Sequence, residues 1–219
     1  MSAAPLRLTL YDGLPGTAGL SLPGGGVWFV YAPQGGIAVG EGDAATRLAA
    51  DDGAFASPGA RLTGQGPAWL YQVTDAGEPF APQLRLLRSQ RLSPGFGPPY
   101  VVRADRIESE AGAATPRHGH RGPGIRRLIF GAILAEVGEA VDRIDAGASW
   151  FESGREMVVG TNIGGGNAAF VRVMVLPAEL EGGKSSFRAA DAIEAAKPRS
   201  VQARLFAEMV WPGPATADQ

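Results

Sequence analysis

Short apolar runs, each closed by glycine or proline, recur along the whole chain. Residues 6–11, 27–32 and 68–73 are runs of strand length, with turns between them at Pro23-Gly24-Gly25-Gly26 and Gly35-Gly36. Residues 84–92 alternate apolar and basic side chains, the period of a strand with one buried face. Five further strands are predicted at 100–106, 126–136, 141–145, 156–161 and 169–176. Residues 187–196 read as a helix stopped by Pro198, and 201–211 as a last strand before a polar tail expected to be disordered. This pattern predicts an all-β protein.

Two stretches interrupt it. Residues 75–82 hold a glycine, two prolines and two acids, and 93–99 hold three prolines and two glycines. A boundary near residue 95 follows, giving domains of 1–95 and 96–219. The two halves also repeat each other. Gly26 to Tyr31, Arg47-Leu48, Asp52 to Ser57 and Ala68 to Val73 run in the same order as Gly124 to Ile129, Arg143-Ile144, Ala146 to Ser153 and Ala168 to Val173. An internal duplication of an all-β unit at this length suggests two similar barrels or sandwiches.

Composition changes the picture mainly by exclusion. The 219 residues are 45% hydrophobic and 19% charged, enough for a real core. The 32 glycines and 17 prolines are spread along the chain rather than gathered in one tract, as many tight turns require. Net charge is −2, with no basic cluster interleaved with aromatics, so nucleic acid is not expected as a partner. There is no cysteine, hence no disulfide, thiolate ligand or cysteine nucleophile. No apolar run approaches the roughly 18 residues of a membrane span, and residues 1–10 carry no secretory pattern. A cytoplasmic location, without membrane partners, is the default expectation.

The chain has two histidines, spaced as His118-Gly119-His120. On a strand, residues i and i+2 share a face, so both imidazoles can reach one metal ion. A pair of surface histidines in a polar turn satisfies the same spacing. The first half has no histidine. Its aromatics Trp28, Phe29, Tyr31, Trp69 and Tyr71 are read as core, and that half as structural.

The histidine region resembles the first conserved motif of cupins: Gly, five residues, His-x-His, three or four residues, Glu, six residues, Gly. Gly112, His118, His120 and Gly131 keep its spacing, and Gly124 stands where the Glu is expected. Gly147 and Asn162 match the ends of the second motif, while Ser153, Arg155 and Val158 replace its Pro, Gly and His. The resemblance covers roughly residues 110–176, and bicupins, with two barrels in one chain, are the natural comparison. It implies two antiparallel jelly-roll (double-stranded β-helix) barrels, with the pocket in the second.

It also implies a divalent metal (Fe, Mn, Ni or Zn), of whose four usual ligands two remain. Glu156, one same-face step from Val158, is the expected third ligand, giving two histidines and one carboxylate; Glu152 is the second candidate. Arg126 shares a face with Gly124 and is expected to bind a substrate carboxylate or to pair with Glu156. Of Arg126 and Arg127, at least one should face solvent. Asn162 is expected either to orient substrate or to serve a turn, and Gly164-Gly165-Gly166 to form a hairpin.

Three readings stay open. One is a metal-dependent oxygenase or related enzyme acting on a small anionic molecule. The second is a non-catalytic sensor or carrier with a vestigial metal site. The third is a protein whose role is pairing with a partner, a homodimer included.

Overall fold

The computed structural model describes residues 5–214, so the expected disordered tail lies largely outside the described residues. The described chain forms two compact units: residues 5–93 with 211–214, and residues 94–210.

The first unit contains β1 (Leu6–Gly13), β2 (Gly16–Ser21), β3 (Val27–Ala32), β4 (Ile37–Val39), β5 (Thr46–Leu48), β6 (Asp52–Ala56), β7 (Arg61–Gly64), β8 (Ala68–Asp75) and β9 (Arg85–Leu92). They make two antiparallel sheets, ordered β6-β3-β8-β1-β9 and β2-β7-β4-β5. Tyr11, Trp28, Val30, Ile37, Leu62 and Leu70 fill the space between them. The alternation of the strands supplies these residues, since every second side chain points to the same face.

The second unit contains β10 (Tyr100–Ser109), β11 (His118–His120), β12 (Gly124–Phe130), β13 (Ala132–Val137), β14 (Ala140–Asp145), β15 (Ser149–Glu152), β16 (Val158–Asn162), β17 (Ala168–Pro177), β18 (Phe187–Ala189) and β19 (Gln202–Trp211). Its sheets are ordered β15-β12-β17-β10-β19 and β14-β13-β16-β11-β18. The first has the same connectivity as β6-β3-β8-β1-β9, strand for strand. The second repeats β5-β4-β7-β2 and adds β18. The segments whose sequences repeat lie on equivalent strands: β3 and β12, β5 and β14, β6 and β15, β8 and β17.

Several elements differ from the sequence expectation. The strand expected over 126–136 is two strands. Gly131 parts them at φ +87°, a left-handed conformation that lets the chain pass from one sheet to the other. The Gly164-Gly165-Gly166 turn is not a hairpin, because β16 and β17 belong to different sheets. It is a crossover. The expected helix at 187–196 shrinks to α1 (Ala192–Ala196), capped at its N-terminus by the Asp191 side chain. Phe187–Ala189 joins the sheet beside β11, whose open edge draws it in. No helix among the described residues is long and apolar enough to cross a membrane.

Candidate functional site

The site grows from the two inner faces of the second unit. On β12, Gly124, Arg126 and Leu128 share a face. Strand register extends them into rungs across the sheet. Glu152, Gly124, Met174 and Arg103 form one rung. Trp150, Arg126, Arg172 and Asp105 form the next, and Leu128, Phe170 and Ile107 the third. On the facing sheet His118 pairs with Val158, which pairs with Val137. Then come Gly160 with Ala135, and Asn162 with Ile133. Side chains of both faces line a cavity of about 410 Å³, within the usual range of small-molecule sites.

His118 and His120 are both buried, and their rings meet edge to face with the Nε2 atoms 3.2 Å apart. The Nδ1 of His118 lies 2.7 Å from the Pro116 carbonyl, an acceptor only, which assigns a proton to Nδ1 and leaves Nε2 as the acceptor of the pair. The Nδ1 of His120 is 3.3 Å from the Ser186 hydroxyl. Phe187 stacks on His118 at 4.6 Å, and Arg199 covers Phe187 at 4.2 Å.

Burial pushes the His120 imidazole well below its ordinary 6.5, and the charges of Arg172 and Arg126 and the neighbouring His118 push it further. His118 is lowered as well. Burial dominates there too, against the opposing pull of the Pro116 carbonyl and Glu152. Both rings are therefore neutral at pH 7.

Arg126 is inside, 1% exposed, and Arg127 is buried too, donating to the Gly147 carbonyl; neither faces solvent as expected for one of them. Arg126 folds back over Gly124 and donates from Nη1 to its carbonyl at 2.6 Å. A Cβ at position 124 would stand 2.7 Å from the Val173 carbonyl and 3.1 Å from that Nη1. Glycine at 124 thus makes room for the guanidinium.

The carboxylate beside the histidines comes from the neighbouring strand. Glu152, the register partner of Gly124, brings Oε2 to 3.6 Å from His120 Nε2 and 2.6 Å from Arg126 Nη2. Its Oε1 accepts from Trp150 Nε1 at 3.0 Å. Burial lowers Arg126 to about 10, with Glu152 pulling it back up, so the guanidinium stays charged at neutral pH.

Glu156, the expected third ligand, is not brought to the histidines. β16 begins at Val158, which leaves Glu156 in the preceding loop, where its carboxylate accepts from the Ser153 backbone N–H and hydroxyl. Burial would raise that carboxyl; the Ser153 hydrogen bonds outweigh it and hold it low.

Asn162 is 2% exposed, and its amide is spent on the main chain. Nδ2 donates to the carbonyls of Ser109, Glu110 and Gly166, and Oδ1 accepts from Gly164 N–H. Its geometry ties down the crossover rather than presenting a free amide to a substrate. Sequence reasoning missed Arg172, half-buried beside Arg126 and held by Asp105 through two hydrogen bonds of 2.8 and 2.7 Å. A charged residue at an inward position of the otherwise apolar run 168–176 was the available signal.

The donor set decides how well a resident divalent metal fits. Two Nε2 atoms face one point, but Val158 is apolar, Gly124 has no side chain, and the Glu152 charge is already matched by the Arg126 guanidinium, with Oε1 accepting from Trp150. Among the described residues no group of three or more His, Asp or Glu is arranged to hold a metal ion. The residues do not supply the three protein ligands such a site takes.

The equivalent place in the first unit is filled. By strand equivalence Trp28 stands where Arg126 does, and its rung runs Trp28, Gln72, Thr9. Trp28 is fully buried, 5.8 Å from Tyr11. An indole packs that interior where the second unit keeps a guanidinium and a cavity.

No protein-family model matches the chain, and no curated protein matches it. Solved structures do. AerE from Microcystis aeruginosa aligns with TM-score 0.55 at 13% identity over 78% of this chain and 88% of its own. Oxalate decarboxylase of Lactobacillus farciminis, as a formate complex, aligns with TM-score 0.57 at 12% identity over 90% and 79%. A cupin 2 conserved barrel domain protein from Leptotrichia buccalis gives 0.50 at 10% over 80% and 86%.

The chain has a bicupin-like cupin fold.

Identities this low speak to the fold alone. Within that cupin fold, the residues described above are this chain's own, and its chemistry has to be argued from them.

Proposed function

We propose that the second cupin barrel binds a small organic anion through its histidine–arginine end, without a resident divalent metal. The observation that carries this reading is the buried Arg126–Glu152 pair beside His120. Arg126 Nη2 and Glu152 Oε2 are 2.6 Å apart, yet neither makes an aligned hydrogen bond. A guanidinium in that state retains donor capacity for a carboxylate, the partner its planar fork matches best.

The disposition of charge at the histidine end favours an anion as well. Arg126 and Arg172 are each matched by one acid, Glu152 and Asp105, and the histidines are neutral. Of the other charges on the lining, Arg103 is paired with Glu208, and Arg199 and Glu136 offset each other in sign. A dication placed between the two imidazoles would meet two guanidinium charges whose acids are already engaged. A carboxylate meets donors.

The role this supports is that of a ligand-binding cupin, a sensor or carrier. A metal-dependent enzyme acting on a small anion is the second reading, and the 3.2 Å approach of the two Nε2 atoms is what favours it. Elemental analysis separates the two. Protein purified without a histidine tag, after supplementation with iron, manganese, nickel and zinc, is expected to hold well under one metal ion per chain. It should bind benzoate at least tenfold more tightly than benzamide by calorimetry. Stoichiometric metal that His118→Ala removes would overturn metal independence, and equal affinity for acid and amide would overturn the preference for an anion.

A further inference from the structure

The cavity is graded along its length, and the grading specifies more than a charge. Its rungs place polar groups at one end: Glu152 with Gly124, then Arg126, Arg172 and Asp105. His120 stands within 3.6 Å of Glu152, which sets the imidazoles of the facing sheet at that same end. One rung further, the first sheet presents Phe170 and Ile107 to the cavity, and the facing sheet presents Ala135 and then Ile133, whose rung partner Asn162 has its amide spent on the main chain. Leu128, Ile133, Ala135 and Trp150 pack as one cluster with Phe170 against it. Past the polar end the wall is therefore mostly hydrocarbon, with Ser109, Thr115 and Glu136 also on the lining.

We infer that the ligand of this site is amphipathic: a carboxylic acid carrying an apolar body, aryl or branched alkyl, rather than a bare short acid. This rests on the anion-binding reading above and names the ligand class for that same site. The carboxylate lies against Arg126 and the imidazole pair, and the apolar body reaches past Trp150 to Phe170 and Ile133. Two magnitudes support this. A cavity of about 410 Å³ is several times the volume of a two-carbon acid, which occupies roughly two or three of the ~30 Å³ shares that water takes in the liquid. A bare acid would leave the apolar wall solvated, whereas each methylene buried there strengthens binding about fourfold, from ~0.8 kcal/mol per buried CH₂.

The grading belongs to this barrel alone. In the first unit the equivalent interior is packed by Trp28, Tyr11 and Leu70, and the rung of Trp28 carries the neutral Gln72 and Thr9 where the second unit has Arg172 and Asp105.

The test is a calorimetric series on the intact chain with one head group and a growing body: acetate, isovalerate, benzoate and 3-phenylpropionate, with 3-phenylpropanol as the neutral control. Affinity is expected to rise by at least roughly 100-fold from acetate to 3-phenylpropionate, the gain from burying only about three to four methylene equivalents of its body. Ile133→Thr, with folding checked by circular dichroism, is expected to weaken 3-phenylpropionate by about three- to tenfold and leave acetate unchanged. Acetate and 3-phenylpropionate binding within about threefold of each other would overturn the apolar-body inference while the anion reading stands. The alcohol binding as tightly as its acid would overturn the anion reading instead. If none of the acids binds, both fall.

Discussion

Arg126 and Glu152 sit on adjacent strands, one rung apart, and meet at 2.6 Å in the buried wall of the cavity. Neither residue is stable there without the other, because an unpaired buried charge costs several kcal/mol while the matched pair roughly breaks even. Arg126→Met and Glu152→Gln are each expected to destabilise the second unit by about 3–5 kcal/mol. The double variant should cost less than the sum, by about 0.5–3 kcal/mol. Urea unfolding of all four proteins measures this cycle. Additive losses would mean that the two charges are solvated independently.

Acid should weaken the fold earlier than its carboxylates alone would predict. His120, facing His118, Glu152, Arg126 and Arg172, is held well below 6.5 by burial first and by those guanidinium charges next. Between that lowered value and 6.5 the unfolded chain binds more protons than the folded one, so stability rises with pH in that interval. The contribution is complete above 6.5 and is lost as pH falls through the interval. The unfolding free energy from urea titrations is expected to drop between pH 7 and pH 5, by up to about 1.4 kcal/mol per pH unit for each proton taken up. His120→Asn should flatten that slope. The carboxyl groups of Glu108 and Glu156, also held low, act only below their ordinary 4.5 and so do not mask it.

Asn162 offers a separation of structure from binding. Asn162→Ala strips three carbonyls of their donor and leaves Gly164 N–H without an acceptor. A cost of about 1–3 kcal/mol is expected. The affinity of the folded fraction for 3-phenylpropionate should be unchanged, as read by calorimetry well below the unfolding temperature. A fall of tenfold or more would give the amide a direct place on the ligand.

Two glycines of the first-motif spacing should respond differently to alanine. Gly131, at φ +87°, would put its Cβ 2.6 Å from the Cβ of Ala168, whereas Gly112, at φ +72°, has nothing within 4 Å. Gly112→Ala carries the backbone penalty alone, about 1–2 kcal/mol. Gly131→Ala adds a collision with β17 and should cost clearly more, as thermal unfolding of the two variants will measure.

Much of the fold was legible in the chain itself, because strand content is written locally. Alternation in residues 84–92 and apolar runs bounded by glycine and proline report burial with a period of two, whatever they pack against. The repeat of Gly26 to Tyr31 in Gly124 to Ile129 was likewise readable without knowing the partners, and those segments are the equivalent strands β3 and β12. The spacing of His118 and His120 sufficed to put two imidazoles on one face. Where local signals conflicted, the sequence misled. Residues 187–189 have helix-compatible neighbours, but the free edge of β11 takes them into the sheet.

What only the tertiary structure decided is which carboxylate stands at the histidines, and what fills the space beside them. Glu156 was favoured because it lies two residues from Val158, an argument that holds only if β16 already runs through position 156. The strand begins at Val158, and a loop residue obeys no alternation. Glu152 reaches the site by register with Gly124 across a strand pair, 28 positions away along the chain. No local period encodes that distance. Side-chain direction is fixed by neighbours in sequence, and the sequence alone therefore determined the barrels and the paired imidazoles. Contact between strands is fixed by pairing, and pairing alone placed Glu152, Arg126 and Arg172 together at one end of the cavity.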